Sequence, residues 1–157
     1  MTQVVADAPI DENVAEQTTE APLPYNEVIP GAVIGRWAES SDPALIVAPD
    51  KLLALLTHLR DHEGYDFLSS VTAVDYSTYG GKSRAGVSER FETVYHLYST
   101  KKGGGHINLH VRVPEDDTVP SATSVYPGAN LQEREVYGLF GIKFVGHPNL
   151  RRILLWE

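Results

Sequence analysis

The sequence predicts an α+β fold, a two-layer sandwich with helices packed on one face of a mixed or antiparallel sheet. Three observations carry this expectation. Leucines recur at helical spacing in "APDKLLALLTHLRDHEG"; the segments "RFETVYHLYS" and "HINLHVRVP" read as strands joined by the glycine-rich "TKKGGG"; and the segments follow the order strand, helix, strand, hairpin, helix, strand. The 157 residues suffice for one core and are too few for two comfortable ones.

Residues 1–30 combine carboxylates, Pro, Thr and Ala with few large apolar side chains, so burial cannot offset the entropy of ordering them. They are expected to form a disordered acidic tail, with a single α+β domain over 31–157. Short β-compatible pieces at Val33–Trp37 and Leu45–Val47 flank the turn signal Ser-Ser-Asp-Pro. Pro49 then sits in a first-turn position, and Leu52, Leu55, Leu56 and Leu59 fall at i, i+3, i+4, i+7 before Gly64. A helix of about four turns is expected, its leucine stripe on a sheet.

β-branched and aromatic residues predict a strand near Leu68–Tyr76, and "GGKSRAGVSE" a flexible loop. In "HINLHVRVP", Ile107, Leu109, Val111 and Val113 face one way while His106, Asn108, His110 and Arg112 face the other. Pro120-Ser121 offers a helix start, and Asn130 a cap for a second helix running to about Phe140. Gly141 closes that helix, and "IKFVG" makes a last short strand.

Composition narrows the function. The net charge is −8, but residues 1–35 hold six carboxylates and no Lys or Arg, leaving 15 acidic and 13 basic groups beyond them. No basic stripe exists to condense on phosphate, so no nucleic-acid partner is expected. No apolar run approaches the roughly 20 residues of a spanning helix, and no secretory leader pattern opens the chain. Cysteine is absent, which removes disulfides, thiolate catalysis and Cys-ligated iron–sulfur clusters from consideration.

Catalytic patterns find no address. "GGKS" at residues 80–83 lacks the earlier glycine of a phosphate-binding loop, because Tyr76 stands there. Neither a G-x-S-x-G elbow nor a dinucleotide fingerprint is present. His106 and His110 share a strand face with His96 on the neighbouring strand, and the three raise a stand-alone metal-dependent enzyme as an alternative, with Asp75 as a further ligand. The plainer reading makes them polar residues on the non-core side of a hairpin. A free-standing binding module is a third possibility.

The stretch "NLQEREVYGLFGIKFVGHPNLRR", Asn130 to Arg152, is different in kind. On a helix Leu131, Val136, Leu139 and Phe140 would make the apolar side, with Glu133 and Tyr137 on a flank and Arg134 near an exposed rim. Neighbouring side chains point about 100° apart, so Glu133, Arg134 and Glu135 cannot pair with one another. Gly138 costs ~1 kcal/mol inside a helix relative to Ala, and with Gly141 it bares backbone on both sides of an aromatic, as close approach by another surface would require. Gly146-His147-Pro148 makes a rigid turn that returns Arg151 and Arg152, and a covered guanidinium must be paired. A solvated charged face is the ordinary reading of such a run; the glycines and the covered arginines weigh against it and toward a surface approached by another polypeptide, with Glu133, Glu135 or a partner's carboxylates as the acceptors.

"QEREVYGLFGIKFVGHPNLRRIL" closely resembles the signature of the thirty-kilodalton subunit family of respiratory complex I, the C-type subunit of bacterial NADH–quinone oxidoreductase. The likeness continues upstream through "FLSSVTAVDY", "VYHLYS", "VRVPEDD" and "VPSATSVYPGANLQERE", covering about residues 45–155. It implies a non-catalytic subunit of the peripheral, quinone-module arm of a proton-translocating NADH–quinone oxidoreductase, packed against a forty-nine-kilodalton partner, the D-type subunit. The resemblance also implies attachment to the cytoplasmic side of the cell membrane through the complex alone. No cofactor is expected in this chain, FMN and iron–sulfur clusters being carried by partner subunits. Related subunits occur in photosynthetic NDH-type complexes and membrane-bound hydrogenases, so the electron donor stays open.

Carried over by motif, Glu133, Arg134, Glu135 and Tyr137 match the family's E-R-E-x-Y helix, and His147, Arg151 and Arg152 its G-H-P-x-L-R-R turn. These seven are the expected subunit-interface residues. Gly138 stands where the family usually has Asp, and relatives usually continue past Glu157 through a Pro-Leu-Arg-Lys-Asp stretch.

Overall fold

The computed structural model describes residues 22–37, 43–77, 89–101 and 105–155. At its centre β4 (Phe91–Tyr98) and β5 (His106–Val113) pair antiparallel, Tyr95 opposite Leu109. Burial along β5 alternates strictly, with Ile107, Leu109, Val111 and Val113 inside, as a period of two against a one-sided core demands. On one side β3 (Phe67–Asp75) adds antiparallel to β4; on the other, β2 (Ala44–Val47) adds parallel to β5, and β1 (Val33–Arg36) pairs antiparallel with β2. The sheet is mixed, in the order β1-β2-β5-β4-β3.

Pro49 opens a 3-10 turn, Pro49–Lys51, that leads into α1 (Leu52–Asp61). All four predicted leucines of α1 are fully buried in one cluster with Leu97, Leu109 and Val111. Each contributes roughly 1.5–3 kcal/mol of hydrophobic stabilisation. The second helix, α2 (Ala129–Phe140), places Ala129 and Val136 in the same cluster. Both helices therefore cover one face of the sheet, which is the predicted α+β sandwich.

Two local expectations are corrected, and a third is completed. Gly128, not Asn130, occupies the N-cap of α2, and Asn130 lies inside the first turn. The helix start expected at Pro120-Ser121 is only a 3-10 turn, Ala122–Ser124, capped by the Ser121 hydroxyl accepting from Thr123 N–H, and Pro120 itself ends β6 (Thr118–Pro120). β7 (Lys143–Val145) is a strand as expected but pairs parallel with β6, outside the main sheet. Strands of three residues carry too little periodicity to be paired from sequence.

Residues 22–30, expected within the tail, pack against the core instead. Residues 22–30 form turns, in which the Asn26 side chain accepts from Val33 N–H at 2.9 Å and donates to its carbonyl at 2.8 Å. That amide acts as a strand neighbour for β1, while Leu23, Tyr25 and Ile29 pack on the core. Residues 1–21, the "GGKS" loop and the middle of "TKKGGG" lie outside the described residues.

Candidate subunit interface

The E-R-E helix divides its residues among three directions. Ala129, Glu133 and Val136 turn inward, and the carboxylate of Glu133 has no exposed surface. It accepts from the Ser121 hydroxyl at 2.6 Å and from Ala122 N–H at 2.7 Å. Glu133 thus fastens the start of the Ala122–Ser124 turn to α2, satisfying donors that a helix start leaves open. Burial pushes its carboxyl up to about 7, against the two hydrogen bonds. Tyr95 is fully buried on β4, and its phenol is pushed well above the usual range by burial first and by the Glu133 charge next.

Arg134 and Gly138 turn toward the chain's own C-terminal segment. The predicted rim position of Arg134 is overturned: the residue is 8% exposed, and its Nε donates to the Arg151 carbonyl at 3.2 Å. Among the described residues no carboxylate pairs with it. Gly138 is likewise covered from within, since a Cβ built there would lie 3.9 Å from Arg152 Cγ. Gly141 answers a different need, a left-handed helix end at φ +77° with its N–H bonded to the Tyr137 carbonyl. The two glycines that suggested a foreign surface are explained by this chain's own geometry.

His147 holds that C-terminal segment in place. Its Nδ1 accepts from Asn149 N–H, which leaves the proton on Nε2 to donate to the Asn130 carbonyl, both at 3.0 Å. The Gly-His-Pro turn, with Gly146 at φ +84°, is so stapled to the first turn of α2.

What α2 turns outward is the stripe Leu131, Glu135, Leu139, spaced i, i+4, i+8, with Leu131 and Leu139 61% and 51% exposed. This overturns half of the predicted apolar side, since Leu131 and Leu139 lie outside whereas Val136 is buried and Phe140 packs on the core. Glu133, a carboxylate satisfied by hydrogen bonds that its own helix does not supply, takes a core position that an apolar count assigns to leucine. Tyr137 is half-buried and lines a shallow pocket with Leu150, Arg151 and Arg152. Among the described residues the side chains of Glu135, Arg151 and Arg152 have no hydrogen-bond or ionic partner. Of the seven predicted residues, Glu133 and His147 hold the fold together, Arg134 is nearly covered, and Glu135, Tyr137, Arg151 and Arg152 reach the surface. The exposed leucines were missed.

On the opposite sheet face the three histidines take separate partners. His96 Nδ1 meets Asn108 Oδ1 at 2.8 Å, His110 Nδ1 meets Glu92 Oε1 at 2.7 Å beneath the stacked Trp37 ring, and His106 stacks on Tyr98. Among the described residues no group of three or more His, Asp or Glu is arranged to hold a metal. No helix among them is long and apolar enough to cross a membrane.

Known proteins share both the sequence and the shape. Residues 45–157 match the family model described as the 30 kDa subunit of respiratory-chain NADH dehydrogenase. The C-type subunit of the NADH-quinone oxidoreductase of Moorella thermoacetica is 46% identical over 115 residues, 71% of this chain and 70% of that protein. The second C-type subunit of Rhizobium meliloti is 37% identical over 145 residues, covering 89% and 75%. Other relatives are longer, and the chain spans 56% of the corresponding Methylobacterium sp. protein. Among solved structures, a trypsin-resistant fragment of Nqo5 superposes with a TM-score of 0.61 at 35% identity, covering 68% of this chain and 81% of that one. One polypeptide of an archaeal membrane-bound sulfane sulfur reductase shares the fold at a TM-score of 0.64 and 24% identity, covering 84% and 72%. With residues 45–157 matched by the family model and the α+β sandwich shared with a solved relative, the chain belongs to the family of the 30 kDa subunit of respiratory-chain NADH dehydrogenase.

Proposed function

We propose that this chain is a non-catalytic subunit of the peripheral, quinone-module arm of a proton-translocating NADH–quinone oxidoreductase, where it supports electron transfer from NADH to quinone. The outward stripe Leu131–Glu135–Leu139 on the helix that bears the family motif carries this reading. Two large leucines held in water on either side of unpaired Glu135, on a helix whose neighbouring flank meets the unpaired Arg151 and Arg152, have the composition of a surface made to be covered. Its proposed partner is the forty-nine-kilodalton, D-type subunit. FMN and iron–sulfur clusters are assigned to partner subunits, and attachment to the cytoplasmic face of the membrane runs through them.

The test is assembly coupled to activity. Leu131→Asp together with Leu139→Asp leaves the isolated chain folded, because both side chains lie outside the core, while the subunit is lost from the purified complex and NADH:quinone reductase activity of the membranes falls with it. Cross-linking from Glu135 in the wild-type complex identifies the neighbour. Normal assembly of the double variant refutes the interface, and cross-links to a different subunit refute the named partner.

A further inference from the structure

β3 lies at an edge of the sheet, and its outer rim is half covered. Tyr76 N–H donates inward to the Arg90 carbonyl, so the period of two turns the backbone groups of Val71 and Ala73 outward. At Ser69 and Val71 a side chain closes the rim. Gln132 Oε1 accepts from Val71 N–H at 2.5 Å, and Gln132 Nε2 donates to the Ser69 carbonyl at 3.2 Å, as an adjacent strand would. Past that clamp, the outward N–H and C=O of Ala73 have no partner among the described residues.

Alongside runs a groove of about 440 Å³ between Ser70–Ala73 and the α2 side chains Glu135, Val136, Leu139 and Phe140. An open strand rim is a template for another chain, and proteins usually guard it with proline, lysine or a covering element. Val71, Thr72, Ala73 and Val74 include no such guard. We propose that this rim receives an extended segment of a partner subunit, hydrogen-bonded past the Gln132 clamp through the outward N–H and C=O of Ala73, with an apolar side chain against Leu139 and Phe140 and a basic one opposite Glu135.

The occupant follows from the charge. Asp75 is engaged by Arg90 at 3.1 Å, whereas Glu135 is exposed in the groove wall without an ionic partner among the described residues, so a basic residue fits. A second copy of this chain, paired edge to edge, would set two Glu135 carboxylates along one seam, which like-charge repulsion opposes. Main-chain hydrogen bonds then give the grip, and the groove selects the segment.

The inference rests on membership of the respiratory complex, and the experiment separates the two. Amide hydrogen exchange is followed in the isolated chain and in the complex purified from its native membrane. Val71 N–H, held by Gln132, is the internal control. The Ala73 amide is expected to exchange freely in the isolated chain and about a hundredfold more slowly in the complex. Equal exchange in both overturns strand addition while leaving membership intact; absence of the wild-type chain from any respiratory complex overturns both. Protection of Ala73 that grows with concentration of the isolated chain assigns the rim to a second copy and refutes the proposal. Ala73→Pro removes one outward donor without touching the β4 ladder, and it is expected to weaken assembly about tenfold at unchanged melting temperature. Wild-type assembly of that variant also refutes it.

Discussion

The Glu133 carboxylate lies 2.6 Å from the Ser121 hydroxyl with no exposed surface, twelve residues and one structural element away. Folding raises its pKa from 4.5 to about 7, so the native state binds the proton more tightly than the unfolded chain. The stability contributed by its protonated form is fully present below about 4.5 and is lost as pH rises through about 7. Glu133→Gln keeps an acceptor for Ala122 N–H and removes the titration. Urea unfolding at pH 5 and pH 8 is expected to show the wild type losing up to roughly 3 kcal/mol between them and the variant little of that. Parallel pH profiles would contradict the assignment.

Gly138 and Gly141 are predicted to respond in opposite directions. At Gly138 a Cβ has room, 3.9 Å from Arg152 Cγ, and the helix gains ~1 kcal/mol from alanine. At Gly141, φ +77° makes a side chain strained, so alanine is expected to cost about 1 kcal/mol. Thermal melting of Gly138→Ala and Gly141→Ala reads both signs at once.

Replacing His147 by Ala removes a donor to the Asn130 carbonyl and an acceptor for Asn149 N–H. The expected loss is about 1–2 kcal/mol. More tellingly, the amides of residues 149–155 should exchange faster while those of α1 do not change. Uniform acceleration across the chain would mean that the staple is not local.

Asp75 contributes to the acid limb, as do Asp61 and Asp66, whose carboxyls are also held below the usual range. The Arg90 side chain, followed by Ser77 N–H, holds the Asp75 carboxyl down to about 2, so its contribution is present above about 3.8 and lost as pH falls toward 2. Asp75→Asn is expected to flatten the acid limb of the unfolding profile below pH 4, with little effect on the limb between pH 5 and pH 8 that belongs to Glu133. A variant that instead shifts the neutral limb would show the two carboxylates to be coupled.

Much of the fold was legible because its signals are local. Leu52, Leu55, Leu56 and Leu59 mark a helix face by spacing alone, and the alternation through His106–Val113 marks a half-buried strand. The interface was harder, since a residue's role there depends on partners far along the chain. Nothing around Glu133 announces that Ser121 and Ala122 will satisfy it, and once it enters the core Leu131 and Leu139 are displaced to the outside. Gly138 and Gly141 look alike in sequence, yet one lies under an arginine stem and the other ends a helix. The membership signal was the motif itself, whose long ordered run of short matches needs no geometry to be recognised.

β2 and β5 lie side by side in parallel, Leu45 against Leu109, though about 60 residues separate them along the polypeptide. During synthesis the four apolar residues of β2 leave the ribosome several seconds before the strand that will shelter them exists. The nascent N-terminal half is thus an unfinished sheet, and mutations that slow the β4–β5 hairpin are expected to lower cellular yield even where the finished protein melts normally.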